Sequence, residues 1–338
     1  MDMNKSLTTI DRRAFVAGAA SVLTSQAIHA ETFSALGSSD GIVRFGMIAD
    51  LHHSFMPEAH LRLESFLQAV KGRHVDFLIQ LGDLCHGYTS VLHPDQRYLL
   101  DLWNSVRLPK YNVLGNHEMD RCSKDCIMDY LQMKKPFYSF DQGGAHFVVL
   151  DCMHVLKDRK YIDYENGNYC HFEDTQINWV DPEQLEWLKN DLQRTKLPTI
   201  VFTHPCIYPY WQTRSAITQA EVREVFVKAN AEAGWQKVVA CLSGHEHVDE
   251  HAIADGIHYV LINSASYYYV GDKYGDLAKY RDPLFCFVTV DPAGMVTIEG
   301  RDSAFIPPTP AQLGYPDARN LSANISSRKL PFTGKVRT

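Results

Sequence analysis

Aspartate, histidine and asparagine recur in this sequence immediately after short apolar segments. Five segments end in this way, and the residues that follow them are Asp50 with His52, Asp83, Asn116 with His117, His204, and His245 with His247. Mixed imidazole, carboxylate and amide groups suit Fe, Mn or Zn ions, whereas calcium prefers oxygen ligands alone. The pattern therefore predicts a transition-metal site. The alternative is a set of unrelated turn residues, because a single Asp or His after a strand is ordinary turn chemistry.

Strand ends are the elements that must bring these residues together. The clearest example is the apolar stretch over residues 77–81, which stops at Gly82 and is followed by Asp83. Asp50 and His52 leave another predicted strand, and side chains two residues apart in an extended segment project to the same side. Because the carboxyl ends of buried parallel strands share one edge of a sheet, we expect the five segments to converge.

Strands and helices alternate along the chain, which favours an α/β fold. The predicted strands cover residues 42–48, 77–81, 110–114, 145–150, 198–202, 237–242, 258–262, 284–290 and 295–298. The predicted helices cover residues 57–70, 96–106, 181–192 and 218–233, and the segment 152–178 is predicted to be a loop. No repeat or linker interrupts this order. One domain is therefore expected over residues 40–305, followed by an extended, Pro-rich tail over residues 306–338.

Composition and charge argue against several classes of protein. The chain has 338 residues, of which 45% are hydrophobic, and this is enough for a large buried core. Its formal charge of −7 offers no basic surface for nucleic acid. No apolar run is long enough to span a membrane once an N-terminal signal is removed. The oligomeric state is not determined by the sequence.

The N-terminal residues are typical of an export signal. Arg12 and Arg13 precede an apolar run of small residues, and Ala27 and Ala30 offer cleavage sites. The paired arginines resemble a twin-arginine signal. Residues 1–30 are therefore predicted to direct export to a bacterial periplasm. An ordinary amphipathic helix is the alternative interpretation.

The eight cysteines could form disulfides in an exported protein. Cys122 with Cys126 and Cys152 with Cys170 are possible pairs. The sequence leaves this pairing open.

The ordered motifs Asp-x-His, Gly-Asp, Gly-Asn-His-Glu, His and Gly-His-x-His resemble those of the calcineurin-like metallophosphoesterase family, over about residues 44–247. The resemblance implies a four-layer α/β/β/α sandwich, in which two mixed sheets are flanked by helices. It also implies two metal ions of the Mn, Fe or Zn class. One ion is expected on Asp50, His52, Asp83 and His247, and the other on Asp83, Asn116, His204 and His245. Asp83 would bridge the two ions.

The function that the resemblance implies is hydrolysis of small phosphate esters by a phosphatase or phosphodiesterase. Two adjacent metal ions can activate a bridging hydroxide as the nucleophile and clamp the phosphate oxygens. Asp83 and His117 are the expected catalytic residues, with His117 protonating or stabilising the leaving oxygen. A cyclic-nucleotide phosphodiesterase or a nucleotide pyrophosphatase is the closest alternative. A non-catalytic metal-binding or nucleotide-binding module is the alternative from another class of protein.

One position departs from the family pattern. Many relatives have an Asp three residues after the bridging aspartate, and this chain has His86 there. The acid that would orient His117 is therefore absent from its usual place, and Glu118 or another group must substitute for it. Two interpretations are open for His53 and His86, namely contact with the substrate phosphate or an ordinary position in a polar loop.

Aromatic residues follow two of the predicted strand ends. They are Tyr208, Tyr210 and Trp211 after His204, and Tyr267, Tyr268 and Tyr269 after the strand over residues 258–262. Their rings are expected either to stack on an aromatic part of the substrate or to pack the loops.

Overall fold

The structure is a computed structural model that describes residues 41–89, 91–208, 219–267, 278–315 and 321–334. Its strands are β1 (Val43–Ile48), β2 (Phe77–Gln80), β3 (Lys110–Asn112), β4 (Tyr138–Gln142), β5 (Ala145–Val149), β6 (His154–Lys157), β7 (Lys160–Asp163), β8 (Thr199–Thr203), β9 (Val238–Ser243), β10 (Glu250–Ala254), β11 (Ile257–Leu261), β12 (Cys286–Asp291), β13 (Met295–Glu299) and β14 (Arg328–Pro331). Its helices are α1 (Ala59–Lys71), α2 (Pro94–Asn104), α3 (Lys124–Tyr130), α4 (Pro182–Arg194) and α5 (Gln219–Ala233). The predicted export signal, residues 1–30, lies outside the described residues.

Two six-stranded sheets form the centre of the protein. The first has the order β14-β13-β12-β1-β2-β3, and the second has the order β10-β11-β9-β8-β5-β4. Both sheets are mixed. β1, β2 and β3 run parallel, as do β5, β8, β9 and β11, and antiparallel strands complete each sheet.

The two sheets pack face to face through aromatic side chains. Phe45 of the first sheet lies 5.8 Å, between ring centroids, from both Phe147 and Phe202 of the second. Phe77 lies 5.2 Å from Phe147. Because successive side chains of a strand point to opposite faces, Val148, the residue after Phe147, points away from the first sheet. It belongs to an apolar cluster that also contains side chains of the helices. The predicted sandwich of two mixed sheets flanked by helices is confirmed.

Most predicted elements appear close to their expected positions, and their ends follow local chemistry. The helix predicted to begin after Asp181 is α4, and the Gln184 N–H donates to the Asp181 carboxylate at 2.8 Å. Thr218, the first residue of the helix predicted over residues 218–233, lies outside the described residues. The segment 152–178, predicted to be a loop, contains the antiparallel hairpin of β6 and β7.

The C-terminal segment contributes to the first sheet. The sequence predicts an extended tail over residues 306–338, and the structure pairs β14 of this segment antiparallel with β13. Ile325 and Leu330 are buried in the apolar layer between the sheets. An edge strand of four residues that includes Pro331 has little signal of its own, because its stability comes from pairing and burial.

Candidate metal centre

The seven predicted ligands lie at the carboxyl ends of five parallel strands. They are Asp50 and His52 after β1, Asp83 after β2, Asn116 after β3, His204 after β8, and His245 and His247 after β9. The ladder between β1 and β2 continues into these loops, since the Asp50 N–H donates to the Gly82 carbonyl and the His52 N–H donates to the Asp83 carbonyl. The site is therefore assembled from both sheets, at the shared end that the sequence predicts.

Five of these residues have a left-handed backbone that side chains rarely adopt. They are Asp50, His52, Asp83, His245 and His247, with φ between 52° and 70°. Such conformations cost about 1–3 kcal/mol each and persist where the surrounding structure imposes them. The surrounding structure therefore holds these five ligands in a strained backbone that aims their side chains.

The glycines before the ligands are required by close approach. A Cβ atom on Gly82 would overlap the ring of His204, and one on Gly115 would overlap the carboxylate of Asp83. The Gly-Asp and Gly-Asn pairs of the sequence therefore have a steric cause. The backbone of one ligand loop passes directly beside the ligand side chain of the next.

The ligand atoms form two groups. In the first, His52 Nε2 lies 3.0 Å from His247 Nε2, and His247 Nε2 lies 3.4 Å from Asp50 Oδ1. In the second, His204 Nε2 is the centre. It lies 3.1 Å from Asp83 Oδ2, 3.1 Å from His245 Nδ1 and 3.2 Å from Asn116 Oδ1. Asp83 Oδ2 also lies 3.9 Å from His52 Nε2, so this carboxylate connects the groups.

These distances fit two metal ions. Two ligand atoms that each lie about 2.1 Å from one ion are about 3.0–3.4 Å apart, depending on the angle between them. Imidazole nitrogens that face each other at 3.0 Å also need a proton or a cation between their lone pairs. The residues present therefore suit one ion in each group, with Asp83 shared, which is the arrangement that the family resemblance implies.

The charges of the site favour metal binding. Burial lowers the pKa of His52 and of His245, so both imidazoles are neutral, as a ligand must be. Burial also lowers the pKa of His204, but the carboxylates of Asp83, Asp50 and Glu118 together outweigh it and raise the pKa of His204 to about 10. Burial raises the pKa of Asp83, but the imidazoles of His204, His117 and His52 together outweigh it and hold this pKa well below its usual value. Binding of a metal at His204 Nε2 would therefore displace a proton.

Asp120 supplies the acid that the sequence lacks at position 86. His117 Nδ1 lies 3.0 Å from Asp120 Oδ2, and His86 Nδ1 lies 2.9 Å from the same oxygen. The Tyr169 hydroxyl donates to Asp120 Oδ1 at 2.6 Å and accepts from the Asn116 amide at 3.1 Å. The rings of His86 and His117 stack with 3.9 Å between centroids. Asp120 therefore holds both imidazoles beside the ligand Asn116.

The pKa values of this group reflect the same contacts. Burial opposes ionisation of Asp120, but the hydrogen bonds with His117 and His86 prevail and hold the pKa of Asp120 well below its usual range. Burial also lowers the pKa of His117, and the carboxylates of Asp83 and Asp120 outweigh it, so the pKa of His117 is raised. These contacts favour the protonated form of His117.

Glu118 has a different role from the one considered for it. Its buried carboxylate accepts from the backbone N–H groups of Asp83, Leu84 and Gly115, at 3.0, 2.6 and 2.8 Å. It therefore ties the loop after β2 to the loop after β3. The expectation that Glu118 or another group orients His117 is resolved in favour of Asp120.

A sequence signal for Asp120 existed, and none existed for Tyr169. His117 to Met119 form a 3-10 turn, in which residues three apart lie on the same side, so Asp120 falls beneath His117. Tyr169 comes from the segment predicted to be a loop, and only the tertiary structure brings it to the site.

A further cluster with the residue types of a metal site is an ion-pair network instead. It consists of Asp151, His154 and Asp163. The ammonium of Lys124 donates to both carboxylates and lies 3.3 Å from His154 Nε2. This built-in cation occupies the place that a metal would take.

The structure also places the cysteines and some of the aromatic residues that follow the predicted strand ends. All eight cysteines are free, so neither of the two possible disulfides is formed. Tyr208 packs on Tyr259 and Tyr267 packs on Tyr280, which fits loop packing. Tyr210, Trp211, Tyr268 and Tyr269 lie outside the described residues. Among the helices that the structure describes, none has the length and apolar character needed to cross a membrane.

Comparison with known proteins decides the family. A family model described as Calcineurin-like phosphoesterase matches residues 43–249. The chain belongs to the calcineurin-like phosphoesterase family. It is a metal-dependent hydrolase of phosphoric esters, and the candidate ligands lie within the matched residues.

Solved structures agree with this fold. A dimetal phosphatase from Danio rerio is 15% identical, with a TM-score of 0.57 over 78% of this chain and 98% of that chain. GAP50 of Plasmodium, described as the anchor in the inner membrane complex, is 16% identical, with a TM-score of 0.56 over 87% of this chain and 90% of that chain. At this level of identity, the likeness concerns the fold alone. A comparison with curated proteins found no match.

Proposed function

We propose that this protein hydrolyses small phosphate esters with two metal ions of the Mn, Fe or Zn class that share Asp83. The observation that carries the proposal is the position of Asp83 Oδ2, 3.1 Å from His204 Nε2 and 3.9 Å from His52 Nε2, between the two groups of ligands. Bound there, the ions would supply a deprotonated water as nucleophile and would stabilise negative charge on the phosphoryl oxygens.

Residues of the chain itself would position the acid His117 and protonate the leaving oxygen. Asp83 Oδ1 accepts from the backbone N–H of His117 at 2.9 Å, so the shared ligand also fixes the loop that carries the acid. His117 Nδ1 is engaged by Asp120, and a proton for the leaving oxygen would therefore come from Nε2. The side chain of His117 is 20% exposed, which leaves it accessible to a substrate. Monoesters and diesters both fit this chemistry.

The test uses the full chain loaded with Mn, Fe or Zn. A chromogenic phosphate monoester and the matching diester are assayed, with metal content measured in parallel. We expect turnover that depends on metal. Asp83→Asn is expected to lower it more than about 100-fold, since even residues that only support a ligand cost 10–100-fold. Asp129→Asn, an exposed carboxylate on α3, serves as the matched control.

The outcomes separate the classes of function. Preference for the monoester supports a phosphatase, and preference for the diester supports a phosphodiesterase, including the cyclic-nucleotide and pyrophosphate alternatives. Two bound metals without hydrolysis of either ester would contradict the proposal and favour a non-catalytic binding module. One structural neighbour is described as an anchor, so this arm of the test is necessary.

We also propose that residues 1–30 direct export to a bacterial periplasm by a twin-arginine pathway. The proposal is supported by Arg12 and Arg13 and the apolar run after them. Replacing both arginines by lysine, followed by fractionation of a bacterial host, tests it. Export that survives the double substitution would contradict the twin-arginine route.

A further inference from the structure

A cleft of about 1100 Å³ lies beside the metal centre, and it is called the side cleft here. Its wall includes His53, Phe55, His86, Tyr98 and Arg121, from the loops after β1 and β2, the helix α2 and the segment after His117. His86 is the point of contact with the centre, because its ring stacks on the ring of His117. The side cleft therefore begins next to the proposed acid.

Apolar side chains are exposed along this cleft. Phe55 is 42% exposed, Tyr98 is 50% exposed and Val91 is 78% exposed. The Phe55 ring also lies 4.0 Å, between centroids, from the ring of His86 in an edge-type contact, which places an aromatic ring close to His117. Apolar groups gathered in a concave surface are the usual lining of a small-molecule site.

The charges in the side cleft favour an anion. Arg121 is exposed and packs over Gly87, the neighbour of His86. Within the part of the chain that the structure describes, its guanidinium forms no salt bridge. Asp95 is the one carboxylate among the described lining residues; it is exposed in the first turn of α2, and no salt bridge joins it to Arg121. A guanidinium without a carboxylate partner suits a ligand that brings its own negative charge.

We propose that the side cleft binds the leaving group of the substrate, and that this leaving group combines an aromatic or apolar body with an anionic group that pairs with Arg121. The inference rests on the proposed function. In an in-line displacement, the leaving oxygen departs on the side opposite the nucleophile, towards the residue that protonates it. That residue is His117, and the side cleft opens from its neighbour His86.

The experiment compares leaving groups that differ only in charge. The esters are those of 3-(4-hydroxyphenyl)propanoate and of its uncharged primary amide, in whichever class, monoester or diester, the metal-loaded enzyme hydrolyses faster. We expect kcat/KM for the carboxylate ester to exceed that for the amide ester roughly tenfold, as for a hydrogen bond to a charged group. Arg121→Gln is expected to bring this ratio close to one. Arg97→Gln, on α2 outside the cleft lining, is expected to preserve it.

Binding of the free leaving group gives a readout that does not depend on turnover. We expect 3-(4-hydroxyphenyl)propanoate to bind the full chain in calorimetry, and to bind Arg121→Gln more weakly. Phe55→Ala is expected to weaken binding of both the carboxylate and the amide. Leu61→Ala removes an exposed apolar side chain on α1 outside the cleft, and it is expected to change neither.

The outcomes distinguish this inference from the proposed function. Hydrolysis of both esters with equal kcat/KM, or a charge preference that persists in Arg121→Gln, would overturn the inference and leave the phosphoesterase function standing. Absence of hydrolysis of every ester would count against the proposed function. The binding measurement then decides whether the side cleft binds the leaving group. Binding that depends on Arg121 and Phe55 supports the inference, and absence of binding overturns it.

Discussion

Replacing Asp120 by asparagine tests how the acid of the site is held. The substitution keeps the size of the side chain and removes its charge. Asp120 Oδ2 faces both His117 Nδ1 and His86 Nδ1, at 3.0 and 2.9 Å, and one amide oxygen cannot replace a carboxylate for both imidazoles and Tyr169. We expect His117 to lose its orientation and part of its affinity for a proton.

The size of the expected loss of rate follows from the contact that Asp120→Asn removes. The side chains of Asp120 and His117 are 18% and 20% exposed, so solvent screens the pair only in part. A hydrogen bond to a charged group contributes about 1.5–3 kcal/mol, which corresponds to roughly 10–100-fold in rate. The loss should be smaller than that of removing His117 itself, since general acid catalysis contributes about 10²–10⁴-fold.

The assay is a series of phosphate esters with leaving groups of different pKa. Poor leaving groups need the proton of His117, so kcat should fall roughly 10–100-fold for these esters in Asp120→Asn. Good leaving groups depart without a proton and should change little. Asp129→Asn is the control. Equal losses for good and poor leaving groups, with metal content retained, would refute the argument that Asp120 acts through His117.

The pH profile gives a second check on the same variant. The pKa of His117 is raised by Asp83 and Asp120, against the opposing effect of burial. Metal ions held by Asp83 would offset its negative charge, so Asp120 would then be the carboxylate that raises the pKa of His117. The activity towards poor leaving groups should fall as pH rises through the pKa of His117. In Asp120→Asn this falling limb should move to lower pH, and an unchanged limb would contradict the assignment.

Three further predictions concern the metal centre and the C-terminal strand. The pKa of His204 is raised to about 10, so a metal that binds His204 below this pH displaces a proton. Affinity for Zn or Mn, measured by chelator competition, should therefore rise about tenfold per pH unit below that value. An affinity independent of pH would contradict the proton on His204. Gly115→Ala should abolish metal binding, since its Cβ would overlap the Asp83 carboxylate. Gly72→Ala is the control and should leave metal binding unchanged. Retained metal content in Gly115→Ala would contradict the prediction and show that the loop can move. Leu330→Ala should lower the free energy of unfolding by about 2–5 kcal/mol in denaturant titration, because Leu330 is fully buried. An unchanged denaturant midpoint would place β14 outside the cooperative core.

Much of the site could be predicted because its pattern is local. A ligand such as Asp83 follows an apolar strand and a glycine, and both features are visible in a few residues of sequence. The strands themselves are apolar because both faces are buried, one against the other sheet and one against helices. The fold class follows from the alternation of these strands with helices.

What could not be predicted depends on contacts between distant segments. Tyr169 reaches the site from a segment without a periodic pattern, and its hydroxyl joins Asp120 to Asn116. β14 has no strand signal, and it forms because β13 offers an unpaired edge. Lys124 occupies a cluster of acids and a histidine that would otherwise suit a metal.

The sequence by itself therefore determined the family pattern, the class of fold and the residues that can act as ligands, since these depend on residue type and on spacing along one strand end. Only the tertiary structure decided between Glu118 and Asp120 as the acid that supports His117. It alone also decided what lines the side cleft and how the C-terminal segment is used. The physical reason is that hydrogen bonds and apolar contacts act over a few ångströms in space. Their partners are set by how strands and loops pack, whatever the distance between them along the chain.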